Sequence, residues 1–232
     1  MDQKKRIAIY GGTFDPVHLG HLEIARRVLE LFEINELLFV PACQAPHKLE
    51  GRTASPVHRH AMLALATQQD AAIYISTFEL DEPNRRYTVD TLTHFRSQFG
   101  ESADLFFIMG ADSWSEITTW RAWQHLMTMV NHIVVTRPGY DLNLDHVTAS
   151  VAAQAVDLRS ADQSSMPRRL NETFAAGTPG IFITNAVMID VSATEIRRAA
   201  REERVEVLKK FVPPSVADYI RKYKLYRNSN EA

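Results

Sequence analysis

The chain has 232 residues, of which 45% are hydrophobic, and its 26 lysines and arginines against 28 aspartates and glutamates leave a formal charge of −2. This length suits one large domain or a domain with an appended piece, and the charge balance gives no sign of a nucleic-acid or membrane surface. One cysteine excludes an internal disulfide, residues 1–6 contain no signal-peptide core, and no apolar stretch reaches the roughly 20 residues of a bilayer span, so we expect a cytoplasmic protein.

A strand, two glycines and a helix form the first recognisable unit. The apolar run over 6–10 predicts a strand, the glycine pair that follows predicts a tight turn, and helical spacing of apolar residues predicts a helix over about 18–33. Glycines let a backbone approach a ligand closely, and a helix start suits a phosphate. His18 and His21, three residues apart, share a face there and can donate hydrogen bonds to phosphate oxygens.

The string from Gly11 to His21, GGTFDPVHLGH, resembles a known signature. Its last four residues are similar to the HxGH motif of the nucleotidyltransferase superfamily. The whole string resembles the bacterial nicotinate-nucleotide adenylyltransferase family more specifically. The alternative is a glycine turn with two surface histidines, which the strand, turn and helix around it disfavour.

A second apolar run, residues 37–40, ends at Pro41 and predicts a buried strand that completes a β-α-β unit. Ligands of such sheets bind at the carboxyl ends of the strands, so the glycines and Pro41 are expected to line one pocket. The loop beyond contains Ala45-Pro46-His47-Lys48 where the family usually has Pro-Pro-His-Lys. The resemblance implies that Lys48 contacts phosphate, and the alternative is that Lys48 is a solvated lysine of the loop.

The next stretch predicts a helix over 56–69, a strand over 73–80 and a helix over 88–99. Thr88 is the expected cap of that last helix. The family has a Tyr-Thr pair at this helix start, beside the pyridine nucleotide, and Tyr87 and Thr88 match it.

Residues 105–109 form the clearest buried strand and lead into Gly110 and Asp112, which resemble the family's Gly-x-Asp step under the adenosine. A glycine followed by a capping aspartate leaves open N–H groups at a helix start. Trp120 matches the family tryptophan that stacks on the pyridine ring, with a core position as the alternative. Arg121 is the next residue, and its backbone is predicted to donate a hydrogen bond beside that ring.

The stretch after the next strand, 132–136, is the least readable. We predict a surface insertion over about 140–179, with an amphipathic helix from 144 to about 156. A strand over 181–184 follows.

A second predicted phosphate-binding segment, which we call the second anchor, spans 191–198. Ser192 with Glu195 three residues later predicts a capping box. The family has Ile-Ser-Ser/Ala-Thr-x-Ile-Arg here, and the resemblance directs Ser192, Thr194 and Arg197 at the triphosphate. Pro213 then opens a final amphipathic helix.

These patterns together predict one α/β domain with a Rossmann-like, mostly parallel sheet, helices on both faces and a small C-terminal helical piece. We place the nucleotidyltransferase domain at 1–190. Residues 191–232 are the C-terminal helical segment that carries the second phosphate motif and belongs to the same domain.

The resemblance implies an enzyme of NAD biosynthesis that transfers an adenylyl group from ATP to nicotinate mononucleotide and releases pyrophosphate. His18 and His21 are the predicted catalytic residues. The predicted ATP contacts are Gly11, Gly12, Thr13, Phe14, His18, His21, Gly110, Asp112, Ser192, Thr194 and Arg197. The predicted mononucleotide contacts are Gly12, Thr13, Lys48, Tyr87, Thr88, Trp120 and Arg121. Mg²⁺ is expected on the ATP phosphates, without a dedicated metal cluster in the protein.

Three alternative hypotheses about the function stay open. A sister enzyme acting on nicotinamide mononucleotide, phosphopantetheine or a cytidylyl substrate would share HxGH. A non-catalytic nucleotide-binding module and a structural protein are the others. An assay of pyrophosphate release against several mononucleotides separates them. The predicted partners are ATP and the mononucleotide, with no nucleic acid and no membrane, and a homo-oligomer is allowed.

Overall fold

A computed structural model describes residues 4–43, 53–81, 87–136, 142–160, 178–185 and 191–227. The strands are β1 (Lys5–Gly12), β2 (Glu36–Pro41), β3 (Ile73–Ile75), β4 (Ala103–Gly110), β5 (Asn131–Val135), β6 (Ala155–Asp157) and β7 (Ile181–Thr184). The helices are α1 (Leu19–Leu31), α2 (Pro56–Thr67), α3 (Thr88–Phe99), α4 (Ala111–Ser115), α5 (Trp123–Met129), α6 (Ala149–Ala152), α7 (Ala193–Arg201), α8 (Val205–Phe211) and α9 (Pro214–Lys222). None of these helices has the length and apolar character of a membrane span.

The described strands form one seven-stranded sheet in the order β3-β2-β1-β4-β5-β7-β6, and every pairing is parallel. The chain builds outward from β1 to β3, then returns through α3 to place β4 on the other side of β1. The direction of winding therefore reverses between β1 and β4. In open α/β sheets this reversal opens a crevice at the carboxyl ends of the strands, where ligands bind. The predicted Rossmann-like α/β fold is confirmed.

Helices cover both faces of the sheet, as predicted. On one face, α1, α2 and the C-terminal helices bury apolar side chains that include Leu22, Met62 and Val216. On the other, α3 and α5 bury Leu92 and Leu126. Because alternate residues of each strand point to opposite faces, both layers are filled from the same short apolar runs. The boundary predicted between the domain at 1–190 and the C-terminal helical segment at 191–232 stays a prediction.

The tight turn predicted at the glycines is wrong. β1 runs through both of them, and Gly11 and Gly12 pair with Val40 and Pro41 of β2. The chain turns only afterwards, and Phe14 is the residue with a left-handed φ of 50°. A Cβ on Gly12 would lie 2.8 Å from Cζ of Phe14. Gly12 therefore makes room for a phenyl ring that folds back over the strand end.

Two other segments differ from their predictions. The strand expected over 73–80 ends at Ile75, because the chain then turns and Phe78 stacks on His94 of α3 at 3.7 Å between ring centroids. The amphipathic helix expected from 144 to about 156 is instead a four-residue helix followed by β6. β6 pairs with β7 at the sheet edge, and this pairing outweighs the helical spacing of its apolar residues.

His132 lies inside the sheet and is the buried ionisable group of β5. Its side chain packs against Phe107, at 6.2 Å between ring centroids, and the residue is 0% exposed. Burial disfavours the charged imidazolium and lowers the pKa of His132 to about 4. The ring is therefore neutral in the folded protein at pH values where it is protonated in the unfolded chain.

This difference predicts acid sensitivity. The unfolded chain binds a proton at His132 near pH 6.5, and the folded protein does so only near pH 4. The contribution of His132 to the unfolding free energy is therefore present above pH 6.5 and is lost as the pH falls toward 4. We expect this group alone to remove about 2 kcal/mol of unfolding free energy between pH 7 and pH 5. Urea denaturation at both values, with His132→Leu and the exposed His125→Leu as control, measures it. An equal pH slope in wild type and His132→Leu would contradict the assignment.

Candidate active site

His18 and His21 meet at the start of α1, as their spacing predicts. His18 is the N-cap, and its backbone N–H donates to Nδ1 of His21 at 3.3 Å. The two imidazole rings stack with their centroids 3.6 Å apart and an angle of 20° between their planes. Because Nδ1 of His21 accepts a hydrogen bond, the neutral ring carries its proton on Nε2. That nitrogen is then a hydrogen-bond donor at the start of a helix, where anions bind favourably.

The end of β4 lies beside the end of β1, across the point where the winding reverses. Gly110 is the last residue of β4 and the N-cap of α4, and it is exposed. Asp112 follows in the first turn of α4, also exposed. The structure therefore places Gly110 and Asp112, which are predicted to contact the adenosine, at the same edge of the sheet as the signature histidines.

The predicted pyridine-binding segments also come together. The guanidinium of Arg121 lies over the ring of Tyr87, 4.8 Å from its centroid. Trp120 makes an edge contact with Phe107 of β4, at 6.3 Å between ring centroids. Phe107 in turn borders the end of β1, because a Cβ on Gly11 would lie 3.4 Å from its Cε2. The segment of Trp120 and Arg121 thus contacts both Tyr87, more than 30 residues earlier in the chain, and Phe107 of β4.

The cap predicted at Thr88 is wrong by one residue. Tyr87 is the N-cap of α3, and its backbone N–H donates to Oδ2 of Asp90 at 3.1 Å. Thr88 is the first helical residue. Its backbone N–H therefore belongs to the helix start, where such groups lack intrahelical acceptors.

The second anchor, residues 191–198, directly contacts residues 13–18 between β1 and α1, which we call the signature loop. Arg197 donates from one Nη to the carbonyl oxygen of Asp15 at 2.7 Å and from the other to Oγ1 of Thr194 at 3.2 Å. The predicted capping box is wrong, because Ser192 is the N-cap of α7 without a side-chain capping hydrogen bond. Glu195 instead faces Arg198 at 3.8 Å on the exposed side of the helix.

Sequence reasoning assigned no role to three residues of this region: Arg59, Tyr226 and Asp15. Arg59, on α2, is 2% exposed and donates to the carbonyl oxygens of Thr13 in the signature loop and of Ala42 just beyond β2. The Tyr226 hydroxyl donates to Oδ1 of Asp15 at 2.8 Å. Burial, reinforced by the Asp15 carboxylate, raises the pKa of Tyr226 well above its usual value, so the hydroxyl stays protonated. Arg59 resembles any polar residue of an amphipathic helix, and no local pattern links Tyr226 to Asp15.

Lys48 lies outside the described residues, so its predicted contact with phosphate stays a prediction. The part of the chain that the structure describes contains no group of three or more His, Cys, Asp or Glu side chains arranged to hold a metal ion.

A family model and curated proteins match this chain over most of its length. A family model described as cytidylyltransferase-like matches residues 9–199. A probable nicotinate-nucleotide adenylyltransferase of Thermoanaerobacter sp. (strain X514) is 34% identical over 233 residues, covering 100% of this chain and 99% of the relative. One from Chromobacterium violaceum is 35% identical over 223 residues, covering 96% and 99%.

Solved structures share the fold. Plasmodium falciparum nicotinic acid mononucleotide adenylyltransferase complexed with NaAD superimposes with a TM-score of 0.68 at 21% identity, over 96% of this chain and 97% of that one. The same protein complexed with APC gives a TM-score of 0.66, also at 21% identity, with the same coverage.

Proposed function

This chain belongs to the nicotinate-nucleotide adenylyltransferases within the cytidylyltransferase-like family, and from that membership we propose that it transfers the adenylyl group of ATP to nicotinate mononucleotide. The products are nicotinate adenine dinucleotide and pyrophosphate, so the reaction is a step of NAD biosynthesis. The observation that carries the proposal is the pair of stacked signature histidines at the start of α1, beside the point where the sheet reverses its winding.

The nucleophile is a phosphate oxygen of the mononucleotide. It attacks the α-phosphorus of ATP, and the bond from that phosphorus to the bridging oxygen breaks, so the electron pair leaves with pyrophosphate. A phosphate monoester has its second pKa near 6 and is largely ionised at neutral pH. The protein therefore needs no side-chain base, and its contribution is alignment of the two substrates and stabilisation of charge.

We assign the α-phosphoryl oxygens to His18 and His21, with Nε2 of His21 as the donor nearest to them. Its orientation is fixed by the hydrogen bond that Nδ1 accepts from the His18 backbone. A donor that is already oriented loses little entropy when charge develops, which is the condition for effective transition-state stabilisation.

We assign the leaving pyrophosphate to Ser192, Thr194 and Arg197. Among the described residues, the hydrogen bonds of Arg197 to Asp15 and Thr194 occupy two of the five N–H groups of its guanidinium. The remaining N–H groups can bind phosphate oxygens. The side chain is 14% exposed, so an ion pair formed there is only weakly screened by solvent.

We propose that Mg²⁺ binds mainly through the ATP phosphates. Mg²⁺ prefers oxygen ligands and commonly combines substrate phosphates with few carboxylates, so the ATP phosphates supply most of its ligands in this proposal. The metal supplies neutralisation of the triphosphate charge. A cytoplasmic location and a homo-oligomer stay predictions.

The substrate assignment predicts a preference for the acid over the amide. A carboxylate accepts hydrogen bonds at both oxygens, whereas an amide NH₂ placed opposite an N–H donor leaves both groups unpaired. The N–H groups at the start of α3 and the Arg121 cation over Tyr87 both favour the carboxylate. We expect kcat/KM to be about tenfold or more higher for nicotinate mononucleotide than for nicotinamide mononucleotide.

The measurement is kcat/KM for both mononucleotides with purified protein at one fixed ATP concentration. Equal values, or a higher value for the amide, would favour the sister activity on nicotinamide mononucleotide. Adenylyl transfer itself would still stand in that case, because either substrate releases pyrophosphate.

A further inference from the structure

Three side chains in and against the signature loop are not used directly by the proposed reaction. We call Arg59, Asp15 and Tyr226 the loop clamp. Arg59 and Asp15 are each 2% exposed, and the Tyr226 ring is half-buried with its hydroxyl turned inward to Asp15. Burying a guanidinium and a carboxylate away from water is unfavourable unless both are well hydrogen-bonded. The hydrogen bonds that compensate this burial join the signature loop to the chain just beyond β2, to the chain just before α2 and to Tyr226.

Arg59 joins three segments with one side chain. Its Nη1 donates to the carbonyl oxygen of Thr13 at 2.7 Å, just beyond β1. Its Nη2 donates to the carbonyls of Ala42 at 2.6 Å and Cys43 at 3.0 Å, just beyond β2, and its Nε donates to Ala54 at 3.2 Å, before α2. A planar fork can reach several carbonyls in fixed directions, which a lysine ammonium cannot do in the same way.

Asp15 is held on both its side chain and its backbone. Oδ1 accepts hydrogen bonds from the Ala54 N–H at 3.0 Å and from the Tyr226 hydroxyl at 2.8 Å. The Asp15 carbonyl accepts from Arg197 at 2.7 Å. Asp15 stands three residues before His18, so these contacts fix the chain immediately ahead of the catalytic pair.

The loop needs such support because its own conformation is unfavourable. Phe14 has a φ of 50°, in the left-handed region that bulky residues rarely adopt. Residues 13–18 form no strand or helix of their own. Backbone in this state persists only where surrounding contacts hold it, and such segments concentrate at functional sites.

Together with Arg197, the clamp leaves positive charge beside the loop. The Asp15 carboxylate is near two guanidiniums, those of Arg59 and Arg197, and the Tyr226 hydroxyl is neutral. These groups therefore sum to one net positive charge. In a region sheltered from water, such a charge attracts a polyphosphate more strongly than a surface charge does.

We propose that Arg59 and Tyr226 are positioning residues for adenylyl transfer: through Thr13 and Asp15 they hold the signature loop in the geometry that presents His18 and His21 to the phosphates. This role rests on the proposed function but acts through the loop. Neither side chain is required to touch a substrate.

The test uses variants that remove the hydrogen-bond geometry with the smallest other change. Arg59→Lys keeps the charge and loses the fork, and Tyr226→Phe loses only the hydroxyl. We expect kcat to fall about tenfold or more for the first and about fivefold for the second, with KM for the mononucleotide within about twofold of wild type. Each assay runs well below the melting temperature of its variant.

Two matched controls carry the same chemical changes elsewhere. Arg26→Lys removes a guanidinium that donates two hydrogen bonds to Asp70 on the surface, at 3.1 and 3.0 Å. Tyr219→Phe removes a hydroxyl 3.0 Å from Nδ1 of His58. Both variants should retain wild-type kcat within about twofold.

Amide hydrogen exchange of the free proteins gives a readout that needs no substrate. We expect residues 13–18 to exchange about tenfold faster in both clamp variants, while the amides of β4 keep their protection. If wild type makes no dinucleotide, the proposed function fails and the exchange result still decides whether the clamp holds the loop. If Arg59→Lys does not fold, Tyr226→Phe decides alone. Lower melting temperatures with wild-type kcat and wild-type loop protection would overturn the proposal and leave a purely structural role.

Discussion

We expect His21→Ala to lower kcat by about 10²–10³-fold while the protein stays folded. The substitution removes the Nε2 donor that we assign to the α-phosphoryl oxygens. It also removes the Nδ1 acceptor of the His18 N–H and the ring stacked on His18 at 3.6 Å. Both catalytic groups are therefore affected by one change, and the loss should appear in kcat more than in either KM.

Turnover and thermal unfolding of the purified variant check this expectation. His125→Ala is the matched control, because it removes an exposed histidine of α5 that has no part in the proposed site. His21→Gln offers a side-chain N–H donor on a flexible stem and should recover only a small part of the loss. A turnover near wild type in His21→Ala would contradict the mechanism.

Arg197→Ala should raise KM for ATP by about tenfold to a hundredfold, and it should lower kcat as well. A charge-assisted hydrogen bond to phosphate contributes about 1.5–3 kcal/mol, which corresponds to that range. The variant also leaves the Asp15 carbonyl without the N–H that lies 2.7 Å from it. The effect on kcat follows from this second loss, because Asp15 precedes the catalytic histidines.

The apparent KM for each substrate separates these contributions. Arg198→Ala is the neighbouring control, since that side chain is 58% exposed and faces Glu195. Arg197→Lys keeps a charge without the fork and should fall between wild type and Arg197→Ala. A change confined to the mononucleotide KM would show that the second anchor binds the other substrate.

Local patterns predicted the parts of this protein that depend on neighbours in the chain. The β1-α1-β2 unit follows from apolar spacing and a helix start, and the meeting of His18 and His21 follows from their three-residue separation on one helical turn. The parallel sheet with helices on both faces follows from alternating strands and helices. These features require no knowledge of distant contacts.

The errors arose where distant contacts decide the structure. The turn was expected at Gly11 and Gly12, but β1 runs through both residues and the ring of Phe14 folds back beside Gly12. β6 exists because β7 pairs with it along the sheet edge. Arg59 reaches a carbonyl 46 positions away, which spacing along a helix cannot reveal. The substrate contacts predicted for the site residues stay predictions.

The hydrogen bond from Tyr226 to Asp15 has a consequence for the order of events during protein synthesis. The two residues are separated by 211 positions, and the Arg197 contact with the same residue spans 182. All the described strands lie before position 185, so a nascent chain can pair its whole sheet while Tyr226 has not yet been translated. The signature loop is therefore translated 211 positions before Tyr226, which contacts it in the folded protein. Assembly of the sheet and formation of the Tyr226–Asp15 contact are therefore separable stages, and from the proposed role of the clamp we expect a chain that ends before Tyr226 to turn over more slowly.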